Sequence, residues 1–152
     1  MKHCIEVVLC AAVLALVDPA FGATCSITSV PTLGFPNYDV FVATPTTTSQ
    51  IAKFRCNGNQ ATITVGVGKS ATSGSIANRQ MAQTAGTGRL NYNIYKDGGY
   101  SNLWGDGTAG TTALVVNTTN RTASVPIYGK IDPGQDSPVG NYKDTVVLSV
   151  NP

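Results

Sequence analysis

Histidine and glutamate are nearly missing from this sequence: His3 and Glu6 are the sole examples of each, and both lie within the first 22 residues. Beyond them, a Ser–His–Asp or Cys–His nucleophilic arrangement has no base to draw on. Paired carboxylates would have to come from six aspartates, Asp39, Asp97, Asp106, Asp132, Asp136 and Asp144. Almost every one sits beside Gly, Pro or Tyr at an expected turn or strand end, where Asp serves local hydrogen bonding. Two thiols without a histidine make a poor zinc site. The aspartates of the 97–106 stretch fall short of the oxygen density that calcium requires. Gly66-Val67-Gly68 and Gly86-Thr87-Gly88 open no helix and have no following Lys-Ser/Thr, so neither is a phosphate loop. These absences argue against an enzyme and against any cofactor or metal.

Concentrated charge is missing too. Past residue 22 the formal balance is 9 basic against 6 acidic residues, or +3, and the basic residues stand singly. No basic stripe for nucleic acid results. No apolar run reaches membrane-spanning length either, including the one from Val7 to Val17.

That run reads instead as the core of an export leader. Lys2 and His3 precede it, and Ala20 and Gly22 suit the −3 and −1 positions of a signal peptidase site, which places the cut between Gly22 and Ala23. Cys10 lies inside the run without a lipobox before it. The expected organisation is therefore a signal peptide over 1–22 and one domain over 23–152, a size suited to a single core. Two of the four cysteines leave with the leader, and the remaining pair, Cys25 and Cys56, is expected to oxidise outside the cytoplasm.

Thr, Val, Ser, Gly and Asn dominate the remainder, and period-two alternation recurs without helical spacing. Strands are expected at Cys25–Val30, Tyr38–Ala43, Ile51–Cys56, Ile63–Val67, Leu90–Tyr95, Leu114–Val116, Ala123–Ile127 and Val146–Val150. Pro126 lacks an amide donor, which places its strand at an edge or a bulge. Asp97-Gly98-Gly99 and Pro133-Gly134 are turn compositions. Short alternating strands with frequent turn signals predict an all-β, immunoglobulin-like sandwich, with a closed barrel as the alternative. Asn117-Thr118-Thr119 and Asn120-Arg121-Thr122 fit the glycosylation pattern, as chance allows in so Thr- and Asn-rich a chain. Tyr100, Trp104 and Asp106 mark a candidate surface-contact loop, with Tyr95 nearby. The plainer reading is that Trp104 packs as a core or rim aromatic.

Three blocks then carry a family resemblance: FPNYDVF at 35–41 with KFRCNG at 53–58, LNYNIYKDGGYSNLWGDGT at 90–108, and VPIYGKIDPGQDSPVGNYKDTVVLSV at 125–150. In order and content they resemble the spore coat protein U domain family. The resemblance implies a secreted sandwich lacking its final strand, many members being subunits of archaic chaperone–usher pili. Its implied partners are a periplasmic pilus chaperone, an outer-membrane usher and neighbouring pilus subunits; the chaperone and then a neighbour each lend a strand. Val146, Leu148 and Val150 would then form an acceptor edge, an aggregation hazard unless covered. Only Ala23 and Thr24 precede Cys25 after the expected cut, too short a stub to fill a strand-length groove at about 3.3 Å per residue. The expectation is an acceptor that does not donate, as in a terminal subunit. A self-contained spore-coat or matrix protein and a carbohydrate-binding adhesive module are the alternatives.

Overall fold

A computed structural model describes residues 23–152 and the backbone of 5–11. Residues 1–4 and 12–22, including Gly22 of the expected cleavage site, lie outside the described residues. The strands in chain order are β1 (Ile5–Ala11), β2 (Cys25–Ser29), β3 (Thr32–Phe35), β4 (Thr46–Cys56), β5 (Thr62–Ser70), β6 (Arg79–Gln83), β7 (Arg89–Tyr95), β8 (Leu114–Asn117), β9 (Thr122–Ile131) and β10 (Tyr142–Asn151). The fold is all-β and immunoglobulin-like.

One sheet runs β3-β1-β10-β5-β8, with β6 beside the start of β10. The other runs β2-β4-β9-β7. β7 belongs to both, pairing β6 through Arg89–Tyr92 and β9 through Asn93–Tyr95. Every pairing is antiparallel except that of β1 with β10, which is parallel.

The alternation that signals strands also builds the core. β9 buries Ala123, Val125, Ile127 and Ile131, β7 buries Leu90, Tyr92 and Ile94, and β10 buries Tyr142, Val146, Leu148 and Val150. The two inner faces meet closely at Gly129. A Cβ there would come within 2.7 Å of Leu33 Cδ2 and of Phe35 Cζ, so the missing side chain admits β3 against β9. Pro126 pairs with Ile51 on its β4 side, whereas the β7 ladder stops at Tyr128. β9 is thus a local edge where its donor is missing, as the proline requires.

One expectation needs correction, and two strands lie where none was expected. Tyr38–Ala43 is a loop and not a strand: the Asp39 carboxylate accepts the Phe41 amide (3.0 Å) and the Asp39 carbonyl accepts the Val42 amide (3.2 Å). Such an Asp-nucleated turn outcompetes a ladder despite the alternating Tyr38, Val40 and Val42. The chain pairs earlier, through Thr32–Phe35, where Gly34 weakens the strand signal. Arg79–Gln83 also forms a strand, headed by a fully buried arginine that has the composition of a surface residue.

Cys25 and Cys56 are directly opposite in the β2–β4 ladder and form a disulfide across 31 residues of chain. Replacing both by serine removes about 3–4 kcal/mol on the chain-entropy estimate for a loop of that length. Urea unfolding of the double variant, compared with the oxidised parent, measures the loss.

Candidate functional site: the groove between β3 and β10

β10 is the closing strand, and its two edges differ in what covers them. On one side Val146, Leu148 and Val150 lie opposite Ser70, Val67 and Val65 of β5, and Tyr142 lies opposite Gln83 of β6. On the other side lies β1, with Ile5, Val7, Leu9 and Ala11 in register with Tyr142, Asp144, Val146 and Leu148. The far edge of β1 pairs with β3, Ile5 opposite Phe35 and Val7 opposite Leu33. A strand-wide groove between β3 and β10 is therefore filled by the apolar segment that the sequence assigns to the leader. Its floor is apolar: Leu33, Val146 and Leu148 are fully buried and Phe35 and Val150 nearly so.

β10 would be a continuous apolar ridge but for Asp144, which faces inward and is 4% exposed. Its carboxylate accepts the Tyr92 hydroxyl (2.7 Å), the Thr72 amide (3.0 Å) and the Thr72 hydroxyl (2.9 Å). Burial, together with the neighbouring Asp144 charge and hydrogen bond, pushes the Tyr92 phenol far above its ordinary range. Arg79 lies in the same region. Desolvation lowers its guanidinium to about 10, against the opposing attraction of Tyr92 and Asp144. Arg79 donates to the carbonyls of Val67 (3.0 Å), Gly68 (2.9 Å) and Trp104 (2.8 Å), tying β5 to the loop after β7. Desolvated charges are tolerable only when hydrogen-bonded in this manner.

The sequence blocks meet at the Tyr142 end of the groove. The Tyr38 hydroxyl accepts the Gln135 amide (2.6 Å). The Gln135 side chain accepts the Asn91 amide (2.7 Å) and donates to the Asn91 carbonyl (3.0 Å), pairing like a short extension of β7. The Tyr142 hydroxyl donates to the Pro138 carbonyl (2.5 Å). Thr72, Arg79 and Gln135 carry this scaffold without having been singled out in the sequence. Arg79 and Gln135 could have been found as scarce charged or amide side chains beside apolar, Gly-bounded segments, whereas Thr72 carries no such signal in so Thr-rich a chain.

The candidate contact loop is not a unit. Trp104 is fully buried, its indole N–H donating to the Val65 carbonyl (2.9 Å), so it cannot present a surface. Asp106 is exposed and caps its own turn by accepting the Thr108 amide (2.9 Å) and hydroxyl (2.6 Å). Tyr100 lies half-buried on the outer face of the second sheet, edge-on to Tyr95 (5.7 Å) and Tyr128 (6.4 Å). Lys130 sits over the Tyr95 ring at 5.4 Å and pairs with Asp132 at 2.9 Å. The aromatic surface is thus three tyrosines, and Trp104 belongs to the core.

Among the described residues no cluster of three or more His, Cys, Asp or Glu side chains could hold a metal, and no helix is long and apolar enough to cross a membrane.

Residues 11–149 match the Spore Coat Protein U domain. Protein U of Myxococcus xanthus is 37% identical over 93 residues, which cover 59% of this chain and 51% of that protein. The chain thus spans about half the length of that curated relative. Among solved structures, the CsuC–CsuE chaperone–tip adhesion subunit pre-assembly complex from the archaic chaperone-usher Csu pili of Acinetobacter baumannii contains a similar chain. The TM-score is 0.59 at 20% identity, covering 85% of this chain and 40% of that one, which is a likeness of fold.

Trp104→Ala is expected to cost about 3–5 kcal/mol as a large core truncation, whereas Tyr100→Ala on the outer face should cost about 1 kcal/mol or less. Chemical denaturation of the two variants side by side checks the assignment.

Proposed function

The chain belongs to the Spore Coat Protein U domain family, and we propose that it is a non-enzymatic, exported structural protein, a pilus or pilus-related surface subunit assembled by strand complementation. One observation carries the reading. The β3–β10 groove holds a seven-residue apolar strand, parallel to β10, drawn from a segment with the features of a cleavable leader. Once residues 1–22 are removed, the described remainder supplies no other strand for that place. An apolar strand edge left open invites pairing with another chain, and a lent strand satisfies both the backbone and the apolar floor. The partners follow: a periplasmic chaperone during export, an outer-membrane usher, then a neighbouring subunit, with the cell surface as destination. With Ala23 and Thr24 alone between the expected cut and Cys25, the chain accepts a strand without having a comparable one to give, which suits a terminal position.

A second reading rests on the same geometry. If residues 1–22 stay attached, β1 completes the sandwich from within, as a self-contained coat or matrix protein requires. N-terminal sequencing of the extracellular protein separates the two, since a start at Ala23 is incompatible with self-completion by β1.

The first reading predicts that residues 23–152 secreted alone aggregate or are degraded. They are expected to become soluble when Ile5–Ala11 is appended behind Pro152 through a linker. Because that strand must run parallel to β10, the linker has to return along the sheet, about 30 Å or ten residues at 3.3 Å each. A donor shifted by one residue turns its apolar set to the opposite face and should fail. A stable, cooperatively folding monomer of 23–152 without any donor would sink the proposal.

A further inference from the structure

The groove does not end where β1 begins. Ile5 is opposite both Phe35 and Tyr142, and β1 runs parallel to β10. Residues ahead of a strand bound there must therefore run towards the segment following β3 and the segment preceding β10. Those two segments form a pocket of about 350 Å³, walled by Tyr38–Phe41 on one side and Asp136–Val139 on the other. The pair of hydrogen-bonding atoms that joins them, Tyr38 Oη and Gln135 N at 2.6 Å, fixes their spacing. Phe41 is 88% exposed and Val139 56% exposed, beside exposed Pro138 and half-buried Val40. A large aromatic left almost wholly in water is unusual in an otherwise well-buried sandwich, and an apolar patch of this kind marks an interaction site. Asp39 and Asp136 line the same pocket, both exposed, without a basic residue among its walls.

We propose that this pocket is an additional subsite of the acceptor groove, taking the residues that precede the groove-filling stretch of a donor strand: an aromatic or large apolar side chain against Phe41 and Val139, and a lysine or arginine facing Asp39 and Asp136. The inference rests on the strand-acceptor reading and deepens it, since it defines what a donor must carry beyond the strand itself. Continuity supports it, because both pocket walls are direct extensions of the strands flanking the groove. Charge supports it as well: in this chain's own sequence Lys2 and His3 stand just ahead of Ile5, so the segment in the groove is preceded by the basic character that two carboxylates would attract.

The test uses the full chain with a protease site placed after Gly22, and with Cys4→Ser and Cys10→Ser to exclude stray thiols. After folding and cleavage, the noncovalent leader is chased with fluorescent synthetic peptides. One is the stretch Ile5–Ala11 with serine for Cys10; the second adds Lys-Phe-Ser ahead of it; the third adds Ser-Gly-Ser. The Lys-Phe-Ser peptide should dissociate at least tenfold more slowly than the other two. Phe41→Ser with Val139→Ser should abolish that difference, and Asp39→Asn with Asp136→Asn should reduce it, while the short peptide dissociates from all variants at the parent's rate. Equal rates for the three peptides, or an advantage untouched by the surface variants, would overturn the subsite and leave the groove reading standing. If no peptide enters at all, the groove reading fails and the subsite with it.

Discussion

An apolar strand needs a partner on each edge, and in this molecule that requirement falls on β10. One edge is met by β5 and β6, brought by the ordinary course of the chain. The other is met by a segment from the far end of the sequence, in the single parallel pairing among the described strands. Parallel neighbours cannot be joined by a tight turn, so the partner of this edge has to arrive from a distance, whether within the chain or from another molecule. The rest of the architecture frames the place that β1 fills. β3 is short and held against β9 through the gap at Gly129, and its edge pairs with β1.

The polar groups inside the sandwich serve the same end. Buried charges destabilise unless they are hydrogen-bonded, yet Asp144 and Arg79 sit where apolar side chains would pack, and Arg79 keeps one buried nitrogen, Nη1, without a partner among the described residues. Asp144 ties the middle of β10 to Tyr92 and to the Thr72 loop, and Arg79 ties β5 to the loop carrying Trp104. The Asp144 contacts secure β10 independently of its pairing with β1. This arrangement gives the run Tyr-Lys-Asp-Thr at 142–145 a physical meaning: two inward polar anchors alternating with outward residues.

Much of this was legible in the sequence. The alternation in β4, β7, β9 and β10, the proline at a local edge, and the cysteine pair all follow from period-two patterning and redox context. Other parts were hidden for identifiable reasons. Tyr38–Ala43 alternates like a strand, but Asp39 offers the backbone a turn instead. β6 begins with an arginine whose burial depends on carbonyls distant in sequence, which no local pattern reveals. Trp104 packs in the core, as the plainer reading of its sequence context expects, but its indole's partner, the Val65 carbonyl, lies 39 residues away and is set by the fold. Most instructive is Ile5–Ala11. Its apolar character fits an export leader and fits a sheet strand equally well, because both demand the same residues. Its pairing with β3 on one edge and β10 on the other is a long-range contact that the local sequence does not carry.

The pairing of Val8 with Thr145 offers the most direct measurement, because both its direction and its register are specified. In the full chain lacking Cys4 and Cys10, cysteines placed at positions 8 and 145 should form a disulfide on mild oxidation, in near-quantitative yield. Cysteines at 8 and 143, two residues out of register, should cross-link poorly. Equal yields from the two pairs, or none from either, would contradict a groove that holds its strand parallel to β10.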